Sequence, residues 1–362
     1  MKYVLWGDGQ SPHLLKWAQA LAVEGPSVLG ESFELWAASR RGFAPGFDAL
    51  VPPARRLALA TTPAVEGGNA ALLRELPRFA RWLKQVQPAW VHAHYLTSHG
   101  TLAWLARNVF GVRARIVGSA WGSDILHTPQ GSRVQRLLMR RVLAACALTT
   151  SDSKHMAERM RALGAREVMT FPFGLDALPP APAAKIEHLF FANRALEPLY
   201  APERVLGVFA AVRAAWPAAQ LVIGNDGSLR AALEREVRAR GLAEAVHFVG
   251  RLDPATQAHW YASAQWFLSL PKSDSVSVSV LEALAHGCIP VLSDLPANRE
   301  LVASGHNGLI LRDGALPDIG ELEALQDEVS AIAADNRVWI AEHALFAPAV
   351  RGFLARLSQM AP

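Results

Sequence analysis

The sequence predicts an α/β protein of two doubly wound domains, and three observations predict it. At 362 residues the chain is longer than one core usually serves. Short apolar runs alternate with helical periodicity through the first half. After a stretch rich in Pro and Ala, residues 172–184, the same alternation restarts. The expected boundaries are a first domain over residues 1–178, a second over 185–338 and a C-terminal helical segment over 339–362.

The elements follow in order. Tyr3–Trp6 reads as a strand. Ser11 is an N-cap with Pro12 at the first helical position, and the helix runs to about Val23. A helix over 69–86 turns Leu72, Leu76, Phe79, Leu83 and Val86 inward. Strands are expected at Trp90–His92 and Arg115–Gly118, and a helix at Arg133–Ala145. In the second half, strands are expected at His188–Ala192, Gln220–Ile223, Val246–Phe248, Trp266–Leu270 and Ile289–Leu292. Helices are expected at Ala201–Trp216, from Gly227 to about Arg240, at Ala255–Ala264 and at Leu281–Ala285, the last closed by Gly287. The tail, Val338–Leu357, reads as a helix interrupted near Pro348.

Bulk properties set limits. No apolar run approaches a membrane span, and the N-terminus shows no signal-peptide pattern. Cys146 and Cys288 lie far apart in apolar surroundings, so reduced thiols and a cytoplasmic location are expected. Residues 1–180 carry 21 Lys and Arg against 12 Asp and Glu, whereas residues 181–362 carry 15 against 20. A basic first half and an acidic second half imply surfaces with different partners. Nucleic acid is not an expected partner: zinc spacing, a helix-turn-helix and an RNA-binding aromatic signature are all missing.

The most informative stretch is Asp274–Gly287, DSVSVSVLEALAHG. Asp274 stands on a loop and Glu282 inside the following helix. The backbone N–H groups around Ser277, Val278 and Ser279 open that helix, and a helix N-terminus favours an anion such as phosphate. Two carboxylates would repel phosphate but suit hydroxyl groups. Phosphate donors beside hydroxyl acceptors point to a nucleotide-sugar.

With its flanks this stretch resembles the retaining family 4 glycosyltransferases of the GT-B fold. The resemblance rests on an acid, seven residues and a Glu in Leu281-Glu-Ala-Leu-Ala285, then Pro290-Val291, Ser293-Asp294 and Asn307-Gly-Leu-Ile310. It is strong over roughly residues 186–312 and diffuse over 1–130. One departure is Asp274 where the family usually has Glu. The resemblance implies two Rossmann-like domains facing across a cleft, with the C-terminal helix crossing back to the first domain. It implies that Asp274 contacts sugar hydroxyls and that Glu282 binds the nucleotide ribose. Ser275, Val276, Ser277 and Val278 form the segment that meets the phosphates.

Phe190-Phe-Ala-Asn193-Arg194 matches the family's Asn-Arg element, whose Arg neutralises the donor diphosphate. A guanidinium there helps a departing diphosphate more than the bound one. An ion pair of Arg194 with Glu197 or Glu203 is the plainer alternative. The family adds a Lys five or six residues later, where this chain has Leu199 and Tyr200, and Arg251 is the candidate substitute. Gly7 and Gly9 after the first strand would leave room for donor sugar or acceptor, and Gly224 would approach the nucleotide. Phe248-Val-Gly250-Arg251 resembles the element whose main chain meets the base.

In the first domain, His13, His94 and Asp124 sit at C-terminal strand ends, where open α/β sheets place ligands. A His often stands where this chain has Trp121, so His94 or Asp124 would supply the polar contacts. Each has a structural alternative. No metal is expected: His92 and His94 are read as facing opposite sides of their strand, and no Asp-x-Asp clamp appears in a suitable loop.

The sequence therefore reads as a retaining, metal-independent glycosyltransferase with no cofactor beyond its nucleoside-diphosphate sugar, UDP-sugar favoured. The acceptor would be a glycan or lipid-linked, in surface polysaccharide or glycolipid synthesis. Two alternatives stay open, a GT-B nucleotide-sugar epimerase and a non-catalytic donor-binding assembly subunit. Basic stripes at Arg74, Arg78, Arg81 and Lys84, and at Arg133, Arg136 and Arg140, suggest peripheral contact with an anionic membrane, with Trp82 at the headgroup level. A solvated basic face is the alternative.

Overall fold

A computed structural model describes residues 1–61, 70–127, 132–181 and 184–360. The chain forms two compact units: Met1–Phe171 with Phe346–Pro362, and Pro172–Leu345.

The first unit is a seven-stranded parallel sheet. Its strands are β1 (Lys2–Gly7), β2 (Glu34–Ser39), β3 (Arg56–Ala58), β4 (Trp90–His94), β5 (Arg115–Ser119), β6 (Cys146–Ser151) and β7 (Val168–Thr170). Their order is β3-β2-β1-β4-β5-β6-β7. Tyr3, Val4, Leu5 and Trp6 are all fully buried, as expected of a parallel strand covered on both faces. The direction of winding reverses between β1 and β4, so their C-terminal ends flank the switch point where such sheets hold ligands.

The first helix, Pro12–Leu29, starts on Ser11, whose hydroxyl accepts from His13 N–H at 3.3 Å, and runs past the expected end through Pro26 to Gly30. The expected helix over 69–86 is two pieces, Ala70–Arg74 and Leu76–Val86, divided at Glu75 with Pro77 in the second first turn; Asn69 lies outside the described residues. The inward face is as expected, with Leu72, Leu76, Phe79, Leu83 and Val86 buried.

The tail breaks at Ala344-Leu345, ahead of Pro348. Residues up to His343 belong to helix Val329–His343 of the second unit, and Phe346–Met360 packs in the first unit. Pro348 falls in that last helix's first turn, where a missing N–H costs nothing. Phe346 and Phe353 close on Trp17 at ring distances of 5.1 and 5.4 Å. Arg351 pairs with Glu24 at 2.8 Å and Arg356 with Glu167 at 2.6 Å.

The second unit is a six-stranded parallel sheet of β8 (Ile186–Ala192), β9 (Gln220–Gly224), β10 (Val246–Gly250), β11 (Ala264–Ser269), β12 (Ile289–Ser293) and β13 (Leu309–Leu311). The order is β10-β9-β8-β11-β12-β13, so its switch point lies between β8 and β11. Phe190 stacks on Trp266 at 5.6 Å across those strands, and Phe209 of helix Pro202–Ala215 with Trp216 just past its end complete that face. The Pro-rich segment is tied down: Leu175 N–H donates to Ala344 O at 2.7 Å, and Arg337 donates to Pro179 O at 2.9 Å.

Candidate functional site

The second unit's switch point assembles the acids and the cation. Asn193 and Arg194 follow β8, and Asp274 follows β11 by five residues. Arg194 Nη2 donates to Asp274 Oδ2 at 2.6 Å. Its Nη1 donates to Ser277 Oγ, and to Ser279 Oγ at 3.4 Å. The Tyr200 ring lies 4.4 Å from the guanidinium, a cation–π distance. The plainer ion pairs did not form: Glu197 accepts from Ser228 N–H and hydroxyl, and Glu203 meets Lys272 at 3.9 Å.

Helix Val278–Ala285 opens here. Its N-cap Ser277 has extended backbone angles but makes no side-chain cap bond, because its hydroxyl accepts from Arg194. Val280 N–H turns back to Ser277 O at 3.0 Å, and the N–H groups of Val278 and Ser279 ahead of it suit an anion. Four residues on, just over one turn, Glu282 Oε2 accepts from Tyr261 OH at 3.0 Å and from Gln257 Nε2 at 3.1 Å. Asn193 Nδ2 donates to the same Tyr261 hydroxyl at 2.7 Å. Burial, then the nearby Glu282 carboxylate, hold the Tyr261 phenol well above its ordinary pKa. Burial also raises the Asp274 carboxyl, against the pull of Arg194 and the Ser275 N–H.

Two backbone positions shape the adjoining edge. Asn225, past β9, has φ +124° and donates its N–H to Gly250 O at 2.6 Å; Gly250 itself has φ +73°. A left-handed turn fits Gly at 250. Gly224 answers to packing: a Cβ there would lie 2.6 Å from Leu252 Cδ1. Arg251 is exposed and forms no hydrogen bond or ion pair with the Arg194 cluster.

The first unit's rim differs from expectation. His92 and His94 share a face, with ring centroids 4.2 Å apart. Residues two apart on a strand point the same way, so the opposite-face reading was wrong. His92 is locked between Tyr3 OH at 2.7 Å and Ser119 Oγ at 2.6 Å, and burial lowers its pKa to about 3. His94 is buried with neither ring nitrogen hydrogen-bonded; burial and the neighbouring His92, His99 and His13 keep it neutral. Trp121 lies 5.7 Å from His94 and 4.8 Å from His13, forming an aromatic shelf. Among the described residues no group of three or more His, Cys, Asp or Glu could hold a metal ion.

Asp124 is wholly buried and acts on the backbone. Its Oδ2 accepts from Leu96 N–H at 2.8 Å and its Oδ1 from Trp121 N–H at 2.9 Å. Burial raises its pKa to about 6. It ties the loops after β4 and β5 together. The glycines of β1 also answer to packing: a Cβ at Gly7 would meet Leu14 Cδ1 at 2.7 Å, and at Gly9 Phe43 Cδ1 at 2.7 Å.

Comparison with known proteins follows the same division. A family model of glycosyl transferases group 1 matches residues 187–335, and one of the glycosyl transferase 4-like domain matches residues 8–174. The chain belongs to family 4 of the GT-B glycosyltransferases. Its fold is similar to that of Anabaena HepE solved with UDP, at TM-score 0.75 and 12% identity over 99% of this chain and 100% of that one. The lipopolysaccharide outer core galactosyltransferase WaaB matches at TM-score 0.74 and 16% identity, over 99% and 100%. D-inositol 3-phosphate glycosyltransferase 2 of Catenulispora acidiphila is 27% identical over 258 residues, 61% of this chain and 58% of that protein. The match thus spans little more than half of that relative's length.

Within this GT-B family 4 chain, Tyr261 and Gln257 went unforeseen, as did the side-chain contacts of Ser279 and Tyr200 with Arg194. Helical periodicity marks Tyr261 as a core residue, and nothing local in the sequence shows that its hydroxyl ends beside an acid 21 positions later. Tyr200 carried the one usable signal, as it fills the place where the family's Lys was sought.

Proposed function

We propose that the protein is a retaining, metal-independent glycosyltransferase that moves a sugar from a nucleoside-diphosphate sugar to a glycan or lipid-linked acceptor. One observation carries the reading: Arg194 and the uncapped N-terminus of helix Val278–Ala285 converge at the β8/β11 switch point, one turn before Glu282. The cation and helix N–H groups suit a diphosphate, and Glu282 suits ribose hydroxyls. Asp274 would exchange its bond to Arg194 for the hydroxyls of the transferred sugar. The bond from anomeric carbon to phosphate oxygen breaks as the acceptor oxygen attacks from the same face. The departing phosphate oxygen takes the acceptor proton, so charge and atoms balance without an enzymic nucleophile. The guanidinium and helix dipole gain strength as negative charge grows on the leaving group.

UDP-sugar is the favoured donor, since the HepE structures hold UDP, UDP-glucose, or UDP and glucose. GDP-sugar is its first competitor. A GDP-mannose:cellobiosyl-diphosphopolyprenol alpha-mannosyltransferase of Xanthomonas oryzae pv. oryzae is 30% identical over 115 residues, 31% of this chain and 27% of that protein. The diphosphopolyprenol acceptor in that relative's name also supports a lipid-linked one here, in surface polysaccharide or glycolipid synthesis on the cytoplasmic side of a membrane.

No helix among the described residues is long and apolar enough to cross a membrane. Peripheral contact with an anionic surface rests on helix Arg133–Ala145, which contains no acid and exposes Arg133, Arg136 and Arg140 around Val134 and Leu137, themselves 75% and 56% exposed. Beside the other basic stripe, Trp82 is half-buried with its ring 6.1 Å from that of Trp36.

Calorimetry against UDP-, GDP-, ADP-, dTDP- and CMP-sugars, followed by NMR of the product anomer with and without EDTA, tests the reading. Binding of one donor and a product of retained anomeric configuration, made in EDTA, are expected. Inversion, abolition by EDTA, or turnover of donor without acceptor would replace it with another mechanism.

A further inference from the structure

Resting on the donor-site reading above, we infer that Tyr261 is a positioning residue that sets the ribose selectivity of Glu282 and couples it to the Asn193-Arg194 turn. Tyr261 is 1% exposed and sits in helix Pro254–Ser263, beneath the site. Its hydroxyl accepts from Asn193 Nδ2 at 2.7 Å. An amide nitrogen donates only, so the phenol proton is directed away from Asn193 and toward Glu282 Oε2, 3.0 Å away. Ser279, which also receives Arg194 Nη1 at 3.4 Å, interacts with the same phenol. One buried hydroxyl thus joins the residue before the phosphate-side cation, the first turn of the phosphate-facing helix and the ribose-side acid.

The arrangement fixes the aim of Glu282. Burial and the adjacent carboxylate hold the phenol far above its usual pKa, so it stays a donor throughout the working pH range. With Gln257 Nε2 at 3.1 Å on the same oxygen, two neutral donors orient the carboxylate plane. Both donors are neutral groups, and together they fix the direction in which the carboxylate meets a diol presented by a ligand. Tyr261 also stacks on His286 at 5.6 Å and 12°, and meets Phe191 edge-on at 5.0 Å. The ring is held whether or not the hydroxyl is present, so Tyr261→Phe removes the hydroxyl while keeping the packing.

The test measures affinities of UDP and GDP, and of their 2′,3′-dideoxy counterparts, for wild type, Tyr261→Phe, Gln257→Leu and Glu282→Ala. Wild type should favour the ribose form of its nucleotide at least tenfold. Tyr261→Phe should cut that ratio at least fivefold, toward the value for Glu282→Ala, with the dideoxy affinity nearly unchanged. Gln257→Leu, near the helix surface, should cut it less and keeps the test decisive if Tyr261→Phe folds poorly. A purely structural role would weaken both nucleotide forms equally and leave the ratio alone; that result, in a folded variant, overturns the inference. If wild type binds neither nucleotide and none of the other donors screened above, the donor-site reading falls as well. If wild type and Glu282→Ala discriminate equally, Glu282 is not the ribose acid and the role given to Tyr261 falls with it.

Discussion

Arg194 and Asp274 are partners before any donor arrives, and this changes what removing Asp274 should do. Asp274→Ala takes away the 2.6 Å charged contact and leaves Arg194 facing Ser277, Ser279 and the helix N-terminus. A diphosphate binding wild type must first displace the carboxylate from Arg194; in the variant it meets a guanidinium already released. A charge-assisted hydrogen bond contributes roughly 1.5–3 kcal/mol. The two side chains are 18% and 22% exposed, so solvent screens part of this, leaving about 1 kcal/mol for tighter binding. That is about a fivefold gain in affinity for the free nucleoside diphosphate. The unliganded protein should lose stability by about 1–2 kcal/mol, because a half-buried cation loses its counter-charge. Turnover should fall steeply, since the sugar-side acid is gone. Isothermal titration with UDP and GDP, thermal unfolding without ligand and a transfer assay supply the three readings. Weaker nucleotide binding by a folded Asp274→Ala protein would refute the displacement argument and place Asp274 among the nucleotide contacts.

Three further outcomes are expected. Arg194→Ala should lower turnover more than donor affinity, and Arg194→Lys should recover only part of it, since an ammonium lacks the fork that meets Ser277 and Asp274 together; steady-state kinetics with unchanged turnover and a raised Michaelis constant would mean uniform binding. Asp124 has its pKa raised to about 6 by burial, so the native state holds its proton longer than the unfolded chain does. Its stabilising contribution is full below the unfolded value near 4 and is lost as pH rises to 6, about 3 kcal/mol in all; chemical denaturation should show wild type losing that much relative to Asp124→Asn between pH 4 and 7, and a flat difference would contradict it. Vesicle co-sedimentation with phosphatidylglycerol at low salt should capture wild type but not a variant with Arg133, Arg136 and Arg140 all changed to Gln, and added salt should release it; equal pelleting of both proteins would count against the membrane surface.

Much of the fold was legible because parallel sheets write themselves plainly. Strands buried on both faces appear as short, unbroken apolar runs, such as Tyr3–Trp6 and Trp266–Leu268, and the intervening helices carry a 3.6-residue period. The short edge strands β3 and β7 and the break at Ala344-Leu345 were not legible, since three residues make no period and the break has no Gly or Pro. Asp274, Glu282 and Arg194 were found because a motif names them. Their mutual contacts were hidden: Arg194 and Asp274 lie 80 positions apart, and only the β8/β11 crossover brings them together. The packing of the glycines was hidden for a related reason: a Cβ at Gly7 would meet Leu14, a neighbour that the sequence alone does not show.

On the donor-site reading proposed above, the charges at the second unit's switch point imply reliance on geometry more than on cation number. A nucleotide-sugar diphosphate brings two negative charges. Arg194 supplies one positive charge and the N-terminus of helix Val278–Ala285 roughly half of another. Where the family resemblance calls for a Lys, Tyr200 lies with its ring 4.4 Å from the guanidinium. A ring face adds no net charge, but it fixes the plane of the fork and excludes water from one side of it, which strengthens each remaining contact. Ser277 and Ser279 fix the fork's other side, and Tyr261 ties Ser279 to the acid beyond. Such an arrangement gives up ground-state attraction for orientation. It should bind its donor modestly and act most strongly when the bond to the sugar breaks, since a fixed guanidinium and a fixed helix end need no rearrangement to meet the charge that then appears.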